Sequence, residues 1–188
     1  EADRMFAVDE CGEVVDGDQL MSICGNYMKQ KGTLKKNTIV ATVMSNLGMF
    51  LMGEREGIHI EKTKVGDRYV LENMLENGYN IGGEQSGHII FLDYNPTGDG
   101  ILTSLMLIKV MLEEQKTASE LCEIIKMYPQ VLVNAKVPSD KKNKYKEDKE
   151  IQEEIEKLEK LRDKALQRAE NIRKVVETLS KDEYEKVG

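Results

Sequence analysis

The sequence predicts an α/β fold, a largely parallel sheet layered with helices, followed by a long C-terminal helical tail. Three observations carry this reading. Up to Pro138, short runs of β-branched and apolar residues alternate with amphipathic stretches of helical length. Glycine punctuates the same part, with 14 of the 15 Gly and all three Pro lying before Ser139. From Ser139 onward, 50 residues carry 14 basic and 14 acidic side chains, no Pro and only the terminal Gly188. Strands that alternate with helices return the chain to the same end of a sheet and so build parallel pairs. A charge-balanced segment free of breakers favours helix.

The elements follow in order. Met5–Val8 is a short apolar run closed by Asp9-Glu10-Cys11-Gly12, a strand and then a turn. Asp18–Met28 places Leu20, Met21, Cys24, Tyr27 and Met28 at helical spacing. Thr38–Met44 is β-branched and apolar, a buried strand. Ser45 is predicted to cap a helix running to about Glu56, with Leu47, Phe50 and Leu51 on one face. Ile58–Glu61 is a second strand, and Asp67–Glu76 a helix closed by Asn77-Gly78. Tyr79–Gly82 and Ile89–Leu92 read as strands around a Gly-rich loop. Asp99–Glu114 is a helix whose surface, apolar from Ile101 through Leu112, is expected to be mostly buried. Ala118–Met127 is a further helix and Val131–Val137 a strand. In the tail, Ile151, Ile155, Leu158, Ala165, Ala169, Ile172, Val176 and Leu179 step by four and three, with a skip at Arg162. That is a heptad seam with one charged position. A helix from about Glu147 to Leu179 would run roughly 50 Å. It either lies on its own domain or pairs with another chain, which makes a homodimer through this helix one expectation.

Composition narrows the partners. At 188 residues the chain buries a sizeable core without a disulfide framework. The net charge of −7 repels phosphate backbones, so nucleic acid is not expected. No apolar run approaches 18 residues, so no membrane span is expected, and Glu1-Ala2-Asp3-Arg4 does not open a signal peptide. Cys11, Cys24 and Cys122 are odd in number and lack metal-ligand spacing, which reads as reduced thiols in a cytoplasmic protein.

Four segments carry candidate chemistry. Gly82-Gly83-Glu84-Gln85-Ser86-Gly87-His88 follows a strand, where open α/β sheets bind ligands. Glu84 and Ser86 can exchange hydrogen bonds with sugar hydroxyls, and His88 can move a proton near neutral pH. A tight turn with a core histidine fits the same residues. Thr63-Lys64-Val65-Gly66-Asp67-Arg68 opens a helix, so Lys64 can meet a phosphate there, or the segment is an ordinary charged loop. In Glu1-Ala2-Asp3-Arg4 two carboxylates and a guanidinium precede a strand, a weak Mg²⁺ and phosphate signal. Pro96-Thr97-Gly98-Asp99-Gly100 is a Gly-rich turn before a helix, without the Lys of a P-loop.

Taken together, Asp3-Arg4, Thr63-Lys64-Val65-Gly66-Asp67-Arg68-Tyr69-Val70, Gly82-Gly83-Glu84-Gln85-Ser86-Gly87-His88-Ile89 and Thr97-Gly98-Asp99-Gly100 resemble the bacterial phosphoglucosamine mutases of the α-D-phosphohexomutase superfamily. The resemblance spans about residues 1 to 160, including Ala135-Lys136-Val137-Pro138. It implies a four-domain enzyme that interconverts glucosamine 6-phosphate and glucosamine 1-phosphate through a bisphosphorylated intermediate. A phosphoserine in the first domain relays the phosphoryl group, and Mg²⁺ is held by it and by an Asp-rich loop of the second. The third domain reads the sugar through a Gly-Glu-x-Ser-Gly loop. Carried over by motif, Asp3 matches a metal ligand, Arg4 the Arg beside it, and Gly83, Glu84 and Ser86 the sugar-binding residues. Lys64 and His88 match cleft residues for substrate contact and proton handling.

The same resemblance implies three parts. Residues 1–30 are the end of the second domain, with a metal-loop remnant, a strand and a connecting helix; residues 31–138 are the third, sugar-binding domain; residues 139–188 are the charged tail. Glu1 stands where the metal loop has its middle Asp, and no Thr-Ala-Ser-His-Asn-Pro loop occurs. Without a nucleophile no covalent intermediate forms, so the isolated chain is expected to be inactive, to bind hexosamine phosphate weakly and to lack a tight Mg²⁺ site. The rival expectation is a non-catalytic interaction protein working through its tail.

Overall fold

The computed structural model describes residues 2–130, 144–161, 163, 164 and 167. The chain divides into two compact units, Glu1–Val131 and Leu132–Gly188. The first opens with a small antiparallel hairpin, β1 (Ala7–Val8) and β2 (Val14–Val15). Its turn is organised by Asp9, whose Oδ1 accepts the amides of Cys11 and Glu13.

Helix α1 (Gly17–Gln30) starts at a capping box, in which Asp16 accepts the amide of Gln19 and Gln19 accepts the amide of Asp16. Strand β3 (Thr38–Thr42) is buried along its whole length. Helix α2 (Leu47–Glu56) is capped by Asn46 and not by Ser45. Asn46 also binds both the N–H and the C=O of Tyr128, which fixes the helix start one residue later than expected. Strand β4 (His59–Thr63) leads to α3 (Asp67–Asn77), which ends on left-handed Gly78 as expected. Then come β5 (Ile81–Gly83), β6 (Ile89–Phe91), α4 (Gly100–Glu114) and α5 (Ala118–Cys122).

The expected helix to Met127 is shorter. After Cys122 the amides of Ile124 and Ile125 bond three residues back, and Asn46 draws the backbone of Tyr128 out of helical register. The strand expected at Val131–Val137 lies outside the described residues.

The four-stranded sheet has the order β4-β3-β5-β6. β3 pairs in parallel with β4 and with β5, and β5 pairs antiparallel with β6, so the sheet is largely parallel. Successive residues of a strand face opposite sides. Ile39, Ala41, Ile60, Ile81, Ile89 and Phe91 therefore join residues of α1, α2 and α4 in the larger core cluster. Val40 and Ile90 meet Val70 and Met74 of α3 on the other side.

One expectation about packing is corrected. Helix α4 is not mostly buried: Thr103, Met106, Leu107 and Val110 face the core, while Ile101, Leu105, Ile108 and Leu112 are exposed. A helix resting on one layer buries one stripe, however apolar the rest of its circumference is.

In the second unit the described residues form a 3-10 turn at Lys144–Lys146 and a helix over 149–161. Ile151, Ile155, Leu158 and Leu161 on that helix are exposed. The remainder of the expected seam, Ala165 and Ala169 through Leu179, lies outside the described residues.

Candidate functional site

Strands β3, β4 and β5 run in one direction, and two loops leave their carboxyl ends close together. Residues Glu84–His88 join β5 to β6. The Glu84 amide donates to the His88 carbonyl at 3.0 Å and the Gly87 amide to the Glu84 carbonyl at 3.0 Å, which closes a tight turn. Gly87 has φ +85°, a left-handed conformation that favours glycine, and a Cβ there would lie 2.3 Å from the Met5 carbonyl oxygen. Met5 N–H in turn donates to the Gly87 carbonyl at 3.1 Å. One turn further along, Gly100 N–H donates to the Ala2 carbonyl at 2.9 Å. Asp3 and Arg4 are thereby held between the turn and the start of α4.

The Glu84 carboxylate is half-buried, and each of its oxygens has a partner. Oε1 accepts the Gly66 amide at 3.1 Å, and Oε2 accepts the Ser86 hydroxyl at 3.4 Å. The first bond ties the loop of Lys64 to the loop of Glu84. Lys64 is exposed, its Nζ 5.7 Å from the Tyr69 ring centroid. Arg4 is exposed, its Nε 3.9 Å from Asp3 Oδ2. His88 is buried at 4% exposure, with Gly98 against its ring and its Nδ1 without a hydrogen-bond partner. Next to Gly98, Asp99 caps α4 by accepting the Leu102 amide at 2.9 Å, and that bond, helped by Asn95, holds its carboxyl below the usual range. The backbone thus brings the loop that carries Lys64 against the turn of Gly83, Glu84 and Ser86, and lays the Asp3-Arg4 segment along the same turn, while the His88 ring is buried beside Gly98. A carboxylate and a hydroxyl side by side suit neighbouring sugar hydroxyls, and the two exposed cations suit a phosphate.

Asp3 offers one carboxylate to a metal. Among the described residues no group of three or more His, Cys, Asp or Glu side chains is placed to hold a metal ion. Mg²⁺ takes six oxygens in near-ideal octahedral geometry, of which Asp3 can supply one.

Sequence reasoning missed several parts of the site. The Gly66 amide is a backbone donor, which no residue type announces. Asp18, in the first turn of α1, is fully buried. Its Oδ2 accepts the Asn46 amide at 2.6 Å, and burial pushes its pKa up to about 6. Asp16 and Gly17 touch the Glu84 loop directly. The signal was present in Asp16-Gly17-Asp18: glycine is a poor helix former, so a Gly at the first helical position between two acids is there for another reason.

Comparison with known proteins places this architecture. Residues 16–128 match the phosphoglucomutase/phosphomannomutase, alpha/beta/alpha domain III family. A phosphoglucosamine mutase of Clostridium acetobutylicum is 58% identical over 159 residues, covering 85% of this chain and 36% of that protein. One from Clostridium tetani is 60% identical over 159 residues, with the same shares. The chain therefore spans about a third of the length of the curated relatives it matches. Among solved structures, Aspergillus fumigatus N-acetylphosphoglucosamine mutase in complex with GlcNAc-6P and magnesium aligns with a TM-score of 0.57 at 18% identity, over 72% of this chain and 36% of that one. A phosphoglucomutase/phosphomannomutase family protein of Burkholderia thailandensis aligns with a TM-score of 0.56 at 20% identity, over 65% of this chain and 26% of that one. At those identities the likeness concerns the fold. With the family match covering more than half of its residues, the chain belongs to the phosphoglucomutase/phosphomannomutase family and carries its third α/β/α domain.

Proposed function

We propose that this chain reads the sugar of a hexosamine phosphate, as the third domain does in a phosphoglucosamine mutase that interconverts glucosamine 6-phosphate and glucosamine 1-phosphate. The observation that carries the reading is the Glu84 carboxylate, held by the Gly66 amide and the Ser86 hydroxyl at the carboxyl end of the parallel strands. Gly83, Glu84 and Ser86 bind the sugar. Arg4 and Lys64 serve the phosphate, His88 handles a proton, and Asp3 contributes to a Mg²⁺ site completed by other parts of a whole enzyme. The phosphoryl relay needs a serine nucleophile this sequence does not contain, so the chain alone does not turn over. We propose the division that the resemblance implies, residues 1–30, 31–138 and 139–188, with α1 of the first part packed into the core of the second. Three free cysteines suit the reducing cytoplasm.

The test is an NMR titration of the 188-residue chain with glucosamine 1-phosphate. The amides of Gly83, Glu84 and Ser86 are expected to shift first, with weak affinity, and mutase turnover with a bisphosphate primer and Mg²⁺ is expected to be absent. Shifts confined to the tail, or turnover dependent on Ser86 or His88, overturn the reading. A second role, self-association through the tail, is favoured by the exposed Ile151, Ile155, Leu158 and Leu161. Changing Ile155 and Leu158 to Asp should then move the light-scattering mass from dimer to monomer.

A further inference from the structure

We propose that the N-terminus of α1 is the positioning device for the sugar loop, with Gln85, Asp16 and Gly17 as positioning residues that set the orientation of Glu84 and Ser86. This rests on the sugar-reading role of that loop. Gln85 stands between the two residues that would face the sugar, and it makes contacts of a different kind. Its carbonyl accepts the Gly17 amide at 3.0 Å, and its Nε2 donates to Asp16 Oδ2 at 3.2 Å. The carbonyl takes an amide from the first turn of a helix, where N–H groups lack intrahelical partners. The carboxylate is shared between two tasks: Oδ1 caps the helix through the Gln19 amide at 3.1 Å, and Oδ2 holds the loop.

Gly17 makes the close approach feasible. A Cβ at that position would lie 2.1 Å from the Glu84 carbonyl oxygen, 2.9 Å from that of Gln85 and 2.8 Å from the Gly87 nitrogen. Only a residue without a side chain lets the helix abut the turn at Glu84, Gln85 and Gly87 together. The base of this anvil is fixed as well, because Asp18 Oδ2 accepts the Asn46 amide at the start of α2. On the far side the loop meets the Gly66 amide through Glu84 and Met5 N–H through Gly87. Removing the α1 contacts leaves Glu84 tethered on that side alone, free to swing with its turn.

The experiment compares the full chain with its Gln85→Ala and Asp16→Asn forms. Gln85→Ala deletes the side-chain bond and leaves the helix cap intact. Asp16→Asn keeps a good cap through its Oδ1 and puts Nδ2 where Oδ2 was, from which it donates to Gln85 Oε1 once the Gln85 amide turns over, so it acts as the conservative variant. In Gln85→Ala, hydrogen exchange at the Glu84 and Gly87 amides should quicken roughly tenfold, the scale of one charge-assisted hydrogen bond, with core amides of β3 unchanged. Glucosamine 1-phosphate should then move the loop amides only at several-fold higher concentration, and Asp16→Asn should behave nearly like the parent. Unchanged exchange at Glu84 and Gly87 in Gln85→Ala overturns the proposal whether or not sugar binds. Loop exchange that responds while the parent ignores the sugar would keep the positioning role and remove the sugar reading. Gly17→Ala supplies a second variant: a loop whose exchange and shifts stay those of the parent would equally refute the close approach.

Discussion

Asp18 is a carboxylate sealed among α1, Ser45 and Asn46, with one oxygen bonded and Oδ1 without a hydrogen-bond partner. Desolvation raises its pKa from 3.8 to about 6, opposed by the Asn46 amide and the nearby Ser45 hydroxyl and assisted by the charge of Asp16. Between about pH 4 and pH 6 the folded chain holds a proton that the unfolded chain has released. This contribution to stability is therefore complete at the acid end, falls as pH rises through that window and is gone above it. Its size is on the order of 3 kcal/mol, from about two pKa units. Asp18→Asn keeps an acceptor for the Asn46 amide and turns its own amide toward the unpartnered Ser45 oxygen. Urea denaturation at pH 4, 5, 6 and 7 should show a flatter profile for Asp18→Asn and higher stability than the parent at pH 7. An equal slope in both would refute a buried titrating Asp18. The Asp16-Gly17-Asp18 run marks the segment in the sequence, but the burial of Asp18 is a tertiary fact that no residue type announces. The Gly-Glu-Gln-Ser-Gly-His loop was legible by contrast, since glycines flanking a carboxylate, an amide and a hydroxyl after a strand are themselves the signal.

Periodicity located the helices well and failed on which faces they bury. Helix α4 is so apolar around its circumference that composition alone hides its buried stripe. The structure separates the faces, with Leu107 at 4% exposure and Leu112 at 73%. Leu107→Ala should cost about 2–5 kcal/mol, the range for a buried leucine whose cavity cannot collapse. Leu112→Gln should stay within about 0.5 kcal/mol of the parent. Thermal and urea melts of the two variants measure this, and comparable losses in both would mean that the outer stripe is covered in solution. Helix starts were legible only to the nearest residue: Ser45 and Asn46 are both good caps, and the choice fell to Asn46 because its side chain also serves Tyr128, 82 positions away. The end of α5 was beyond reach for the same reason.

At the scale of the molecule, the order β4-β3-β5-β6 places the loops after β4 and β5 on either side of the loop after β3, and the Gly66 amide of the first reaches the Glu84 carboxylate of the second, 18 positions away. The alternation of strands and helices predicted that convergence only as a class property of open α/β sheets. The resemblance supplied the rest, because spacing alone does not say which loop faces which. The same scale governs metal binding. With no cluster of metal ligands among the described residues, and with Glu1 and Asp3 together leaving most of an octahedral shell to water, calorimetry on the 188-residue chain should show no micromolar affinity for Mg²⁺. Such an affinity, abolished by Asp3→Ala, would show that the residues here complete a site of their own.

The strand of chain from Ala2 to Met5 is wedged between Gly87 and Gly100. The bonds that hold it, Met5 N–H to the Gly87 carbonyl and Gly100 N–H to the Ala2 carbonyl, each close a loop that contains the whole parallel part of the sheet. Closing so long a loop brings an entropic cost that only the finished sheet can offset. Docking of Asp3 and Arg4 is therefore a late event in folding, and theirs is the first contact to open when the sheet loosens.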